Sequence, residues 1–129
     1  MADIFISAAH NFTSPFSAMV VHDFHGVATN TYPMATAFAL RTPHFVIEII
    51  SAWDGATNEQ ASGHVAWSDT VSTSLGAIAL TGGYSNLLSP QEGERARQFF
   101  GGSAERLKAI KSRVDPHDLF RLGTGRIAT

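Results

Sequence analysis

Glu48 is the one charge inside Phe45-Val46-Ile47-Glu48-Ile49-Ile50-Ser51-Ala52-Trp53, a β-branched run that is nearly apolar on both faces. A carboxylate in such a run must find a partner, reach solvent or take up a proton, because an unpaired buried charge is expensive. Two readings stand. Glu48 lies at a sheet edge or end with access to water, or it projects into a site above the sheet and does acid–base work. Tyr84 follows Gly82-Gly83 and stands beside Asn86. A tyrosine there is either a core residue with a satisfied hydroxyl, or a base or donor aimed at a substrate.

Other chemistry is thinner. There are six histidines. His22 and His25 sit three apart on an expected strand, which turns them to opposite faces. His10, His44, His64 and His117 fall on different elements, and no H-E-x-x-H spacing occurs, so no metal site is expected. Gly82-Gly83 and Gly101-Gly102 read as turn and C-cap residues. No G-x-G-x-x-G, P-loop or G-x-S-x-G elbow is present. With no cysteine, disulfides, zinc thiolates and thiol nucleophiles are excluded.

These residues need elements to hold them. Ala18 to His25 is rich in strand formers, and Val27-Ala28-Thr29 is expected to continue it past Gly26. Asn30 to Pro33 reads as a turn. Ala37 to Arg41 is short and strand-compatible, and Phe45 to Trp53 is the strongest strand signal, expected to be central and buried. Asp3 to Ala9 suits a short strand or a frayed helix. Thr57-Asn58-Glu59-Gln60 has the form of a capping box opening a long helix over 57–80. One helical stripe carries Ala61, Val65, Ser68, Ser72, Leu75 and Ala79, and the adjacent one Trp67, Val71, Ser74 and Ile78. Ser89-Pro90-Gln91-Glu92 is a second capping box, before a short helix ending at Phe99-Phe100 and Gly101-Gly102. Ser103 is expected to cap a third helix that ends at Asp115-Pro116, with Leu119 and Phe120 anchored in the core. Strands first and helices after make an α+β fold, an antiparallel β-sheet with helices packed on one face.

The chain has 129 residues, 44% hydrophobic and 16% charged. That suits a single domain over 1–129, with the sheet in 17–53, and disagrees with disorder. No run reaches the ~18 apolar residues of a membrane span. The start Met1-Ala2-Asp3-Ile4-Phe5-Ile6 lacks a signal-peptide pattern, so a cytoplasmic protein is expected. Residues 1–88 carry six acids and one base, and residues 89–129 five acids and eight bases. The basic residues are interleaved with acids and the total charge is −2, which argues against nucleic acid.

From Gly83 onward several short motifs stand in one order: Tyr84-Ser85-Asn86, Phe99-Phe100-Gly101, Arg106-Leu107, Ile110-Lys111, Asp115-Pro116 and Leu119-Phe120. This segment, 84–127, resembles the C-terminal motif of berberine-bridge-type FAD-linked oxidases. Upstream, His25-Gly26-Val27 and Phe38-Ala39-Leu40-Arg41 look like the last sheet segments of that family's substrate domain. The resemblance implies a sheet with helices on one face and the flavin ring covered by the other. It implies FAD as cofactor and an alcohol or sugar hydroxyl as substrate. It implies catalytic roles for Tyr84 and Glu48, and a flavin or loop-fixing contact for Asn86. Arg106, Lys111 and Asp115 are expected to hold the helices and tail together. In that family a separate N-terminal domain binds FAD, and this length leaves no room for one. The expectation is therefore the substrate-binding part of an FAD-dependent oxidoreductase, incomplete alone and served by a separate FAD-binding domain. The competing expectation is a non-catalytic α+β module that forms a homodimer, or binds a ligand, through its exposed sheet face.

Overall fold

The structure is a computed structural model that describes residues 1–55, 57–87 and 96–120. Its elements are α1 (Ala2–His10), β1 (Ala18–Phe24), β2 (His44–Ile50), α2 (Asn58–Gly76), α3 (Ala96–Phe100) and α4 (Ala104–Val114). The two strands form an antiparallel sheet, so the α+β class stands. The N-terminal stretch that suited strand or helix is the helix α1. Two compact units are present: Met1–His22 with Ile47–Ala79, and Asp23–Val46 with Leu80–Thr129. No helix among the described residues is long and apolar enough to cross a membrane.

In the first unit α2 begins as expected. Thr57 Oγ1 accepts the Gln60 backbone N–H at 3.3 Å, and Gln60 Oε1 accepts the Thr57 N–H at 2.9 Å. Each side chain satisfies a donor that the helix start would otherwise leave orphaned. The helix stops at Gly76 rather than near Leu80. Its buried line is Trp67, Val71 and Leu75, packed with Ala8 of α1. Those three residues recur every four positions, one helix face. The two expected stripes are thus redrawn: Val65 and Ile78 are exposed. Trp67 Nε1 donates to the Ala8 carbonyl at 3.2 Å, so the indole is buried with its polar atom satisfied. Met19, Ile47 and Ile49 pack against this cluster from the strands.

The expected extent of the sheet is corrected in four places. Gly26 adopts φ +68, and the chain turns there into a 3-10 segment, Gly26–Asn30, instead of extending β1 through Thr29. A left-handed residue breaks the pleat, and glycine takes it without strain. Residues 37–41 form no strand, because Arg41 is committed locally. Its guanidinium donates to the Ala28 carbonyl at 3.0 Å and to Thr36 Oγ1 at 2.6 Å, and it lies 5.1 Å from the Phe38 ring centroid. β2 ends at Ile50, and beyond it Trp53 stacks on His64 of α2 at 5.2 Å between centroids. Nor is β2 central: the sheet has two strands, and no residue of β2 is fully buried.

In the second unit the buried residues include Phe99, Phe100, Ser103, Ala104 and Asp115. Ser103 occupies the N-cap position of α4 but makes no capping bond. Its hydroxyl donates instead to the Thr36 carbonyl at 3.2 Å. Leu119 and Phe120 are exposed rather than anchored in the core. Asp115 accounts for this, since its carboxylate accepts the backbone N–H groups of Leu119 at 2.8 Å and Phe120 at 3.0 Å. The backbone is held and the side chains are left in water. The second capping box at 89–92 and the tail at 121–127 lie outside the described residues.

Candidate functional site

Glu48 belongs to the first unit and Tyr84 to the second. Met19, Ile47 and Ile49 face the helix-packed core, and strand residues alternate faces. His22 and Glu48, of opposite parity, therefore look out from the other face of the strands. They meet there. His22 Nε2 donates to Glu48 Oε1 at 2.8 Å across the strands. The Glu48 side chain is 25% exposed and the His22 side chain 53%, so the carboxylate has both a partner and access to water. His25 lies beyond the end of β1 and sits 3.5 Å from Asp23. The alternation expected of the two histidines on one strand therefore does not extend to His25. Among the described residues no group of three or more histidines and acids could hold a metal ion.

Gly82 and Gly83 deliver Tyr84. Gly82 has φ +114. At Gly83 an added Cβ would lie 2.8 Å from the Phe99 ring. The pair is thus more than a helix-end signal: Gly83 lets the chain pass flat over a buried aromatic ring just before Tyr84. Asn86 Nδ2 donates to the Tyr84 hydroxyl oxygen at 3.0 Å, in a 3-10 turn over Ser85–Leu87. The phenol packs edge-on against Phe38 at 5.9 Å, and Phe38 lies 5.3 Å from Phe24. Phe24 in turn stacks on His44 at 4.6 Å. Tyr84 remains 43% exposed. Its ring is propped by aromatic neighbours and its oxygen held by an amide, which leaves the O–H to address a ligand.

A polar knot ties the end of α4. Lys111 bonds Asp115 one turn on, Asp118 at 3.0 Å and the Phe120 carbonyl at 2.7 Å. The Lys111 hydrogen bond and the Phe120 N–H hold the Asp115 carboxyl down from its ordinary 3.8 to about 2. The same bond to Asp115 raises Lys111 above its usual value. Arg106 reaches the Met34 carbonyl at 3.4 Å. These residues hold helix and tail.

Two grooves are present in the first unit. One, of about 310 Å³, lies between α1 and α2 beside Ile4, Trp67 and Val71. The other, of about 340 Å³, is lined by Thr13, Trp53, Asp54, Gln60 and His64 among others. Neither is lined by Glu48, Tyr84 or Asn86. Sequence reasoning missed His22 as the partner of Glu48. The signal was a polar residue on the neighbouring strand, legible only once the register is known.

Residues 83–125, about a third of the chain, match the family described as berberine and berberine like. Over 103 residues the chain is 31% identical to the "FAD-linked oxidoreductase aurO" of Gibberella zeae. That match covers 80% of this chain and 20% of the relative, so the chain spans about a fifth of the curated relative's length. Its segment 83–125 is thus berberine-like, and most of the chain is similar to a part of a protein of the FAD-linked oxidoreductase class.

FAD is the cofactor of that class. Among the described residues the fit to FAD is poor. The amide of Asn86 is engaged by Tyr84, and the two grooves exclude the family's site positions. Neither groove offers a cradle for a dinucleotide beside Tyr84 or Glu48.

Proposed function

We propose that this chain is the substrate-binding, C-terminal portion of an FAD-dependent oxidoreductase acting on alcohol or sugar hydroxyls, incomplete without a flavin-binding domain. The observation that carries it is the coincidence of the family's tyrosine with a built position. Tyr84 is propped on Phe38 and held by Asn86 inside the family-matched segment. A phenol or carboxylate near a substrate hydroxyl serves as proton acceptor, a role worth roughly 10²–10⁴ in rate when the geometry is right. In this reading Tyr84 and Glu48 take part in proton transfer, Asn86 fixes the phenol, and flavin is held by residues outside this chain. The test is a chimera in which this chain replaces the matching segment of the Gibberella zeae oxidoreductase. A yellow protein whose flavin is bleached by a hydroxyl substrate supports the reading. A flavin-loaded chimera that no hydroxyl substrate reduces counts against it.

A second reading, a module that pairs through its sheet, is supported by Val21, Phe45 and Ile50, which are exposed on the two strands. An exposed strand edge with apolar side chains open to water invites self-association. Sedimentation as a dimer favours it, and a monomer removes it.

A further inference from the structure

We propose that His22, not Glu48, is the group that accepts a proton from a bound hydroxyl, and that Glu48 is its positioning residue. The inference rests on the oxidoreductase reading for its substrate class and on geometry for its assignment. His22 Nε2 and Glu48 Oε1 are 2.8 Å apart. An ionised Glu48 can only accept, so in that state the Nε2 hydrogen belongs to the imidazole and points at the carboxylate. In the neutral ring the other nitrogen, Nδ1, then carries the free lone pair. The carboxylate fixes the tautomer and ring orientation and supports the imidazolium that forms when Nδ1 takes a proton. This is the division of labour between acid and imidazole in hydrolytic triads, here without their nucleophile.

Exposure sets the order of the pair. His22 is 53% exposed and Glu48 25%, so a ligand approaching the pair meets the imidazole first. Both sit on strands, where backbone pairing limits drift, and rigid elements position sites better than loops do. The neighbouring His25 provides a contrast inside the same molecule. Its contact to Asp23 is 3.5 Å, two residues away in sequence and more exposed at both ends. That geometry fixes neither ring nor tautomer. The proposed step is a proton transfer alone: the hydroxyl O–H bond breaks, its proton passes to Nδ1 and its electron pair stays on oxygen.

Two measurements on the chain as it stands test this without any oxidase activity. The first is the long-range proton–nitrogen NMR spectrum at alkaline pH, which reports the tautomer of each histidine. His22 is expected with its hydrogen on Nε2 and a bare Nδ1, and a hydrogen on Nδ1 overturns the proposal. The second is diethyl pyrocarbonate labelling read by peptide mass spectrometry, with His25 as internal reference. Glu48→Gln keeps the shape and removes the charge. It is expected to slow labelling of His22 several-fold while His25 labels at its former rate. Unchanged His22 labelling means that Glu48 only braces the strand, and the proposal falls. If the dyad behaves as stated but the chimera oxidises no hydroxyl compound, the assignment of His22 survives and the oxidoreductase reading does not.

Discussion

Gly83 lies against the ring of Phe99 so closely that a Cβ at position 83 would stand 2.8 Å from one ring carbon and 2.9 Å from a second. Phe99 is itself buried, so the ring has little freedom to yield. Overpacking of this kind costs about 1–3 kcal/mol. Gly83→Ala should lower the urea midpoint of unfolding by a corresponding amount. Phe99→Leu in the Gly83→Ala background should recover part of that loss. An additive double variant, no better than the two losses combined, would show that the contact does not cause the effect.

The Asp115 carboxyl is held at about 2 by the Lys111 hydrogen bond and the Phe120 N–H. Because its folded value lies below the ordinary 3.8, its contribution to stability is present above that ordinary value. It is lost as pH falls toward 2. The amide proton shifts of Leu119 and Phe120 should titrate with a midpoint of about 2, since both amides donate to this carboxylate. Lys111→Met should move that midpoint upward. A wild-type midpoint near 3.8 would show the knot to be open in solution.

In the first unit Leu75 closes the cluster of Ala8, Trp67 and Val71. Leu75→Ala should destabilise the protein by about 2–5 kcal/mol, the usual range for such truncations. Trp67→Phe should cost less, chiefly the indole bond to the Ala8 carbonyl and the loss of ring area. Urea unfolding monitored by circular dichroism checks both. Equal losses for the two would mean that the cluster is looser than its packing indicates.

Much of the framework was legible because local signals carried it. The Thr57 and Gln60 capping box opens α2 as expected, and the β-branched run around Ile47 and Ile49 makes β2. The failures came from side-chain contacts that hydrophobic periodicity does not report. Trp53 looked like a strand residue, but stacking on His64 takes it out of the sheet. Arg41 looked like the end of a strand, but its bonds to Ala28 and Thr36 curl that stretch into a loop. Leu119 and Phe120 looked like core anchors, yet Asp115 holds their backbone and leaves their side chains out. At the site, Glu48 was visible as an anomaly in an apolar run. Its partner His22 was not, because 26 residues separate them and strand register is not written in either segment alone.

In the chimeric oxidoreductase, Tyr84→Phe and Glu48→Gln should each lower kcat by roughly 10²–10⁴, with smaller effects on KM. Asn86→Ala should fall between these and the parent, since it removes the bond that orients the phenol. Stopped-flow bleaching of the flavin separates the chemical step from substrate binding. Parent-like bleaching in both Tyr84→Phe and Glu48→Gln would remove both the phenol and the Glu48-positioned imidazole from proton transfer.

The visible absorption spectrum of the purified chain during titration with FAD tests most directly whether it supplies the proposed substrate side of an FAD-linked oxidoreductase and not the flavin's own binding site. The flavin bands are expected to stay those of free FAD at every ratio, with no flavin co-migrating with the chain through gel filtration. A shifted, resolved flavin spectrum that saturates at one FAD per chain would contradict that proposal.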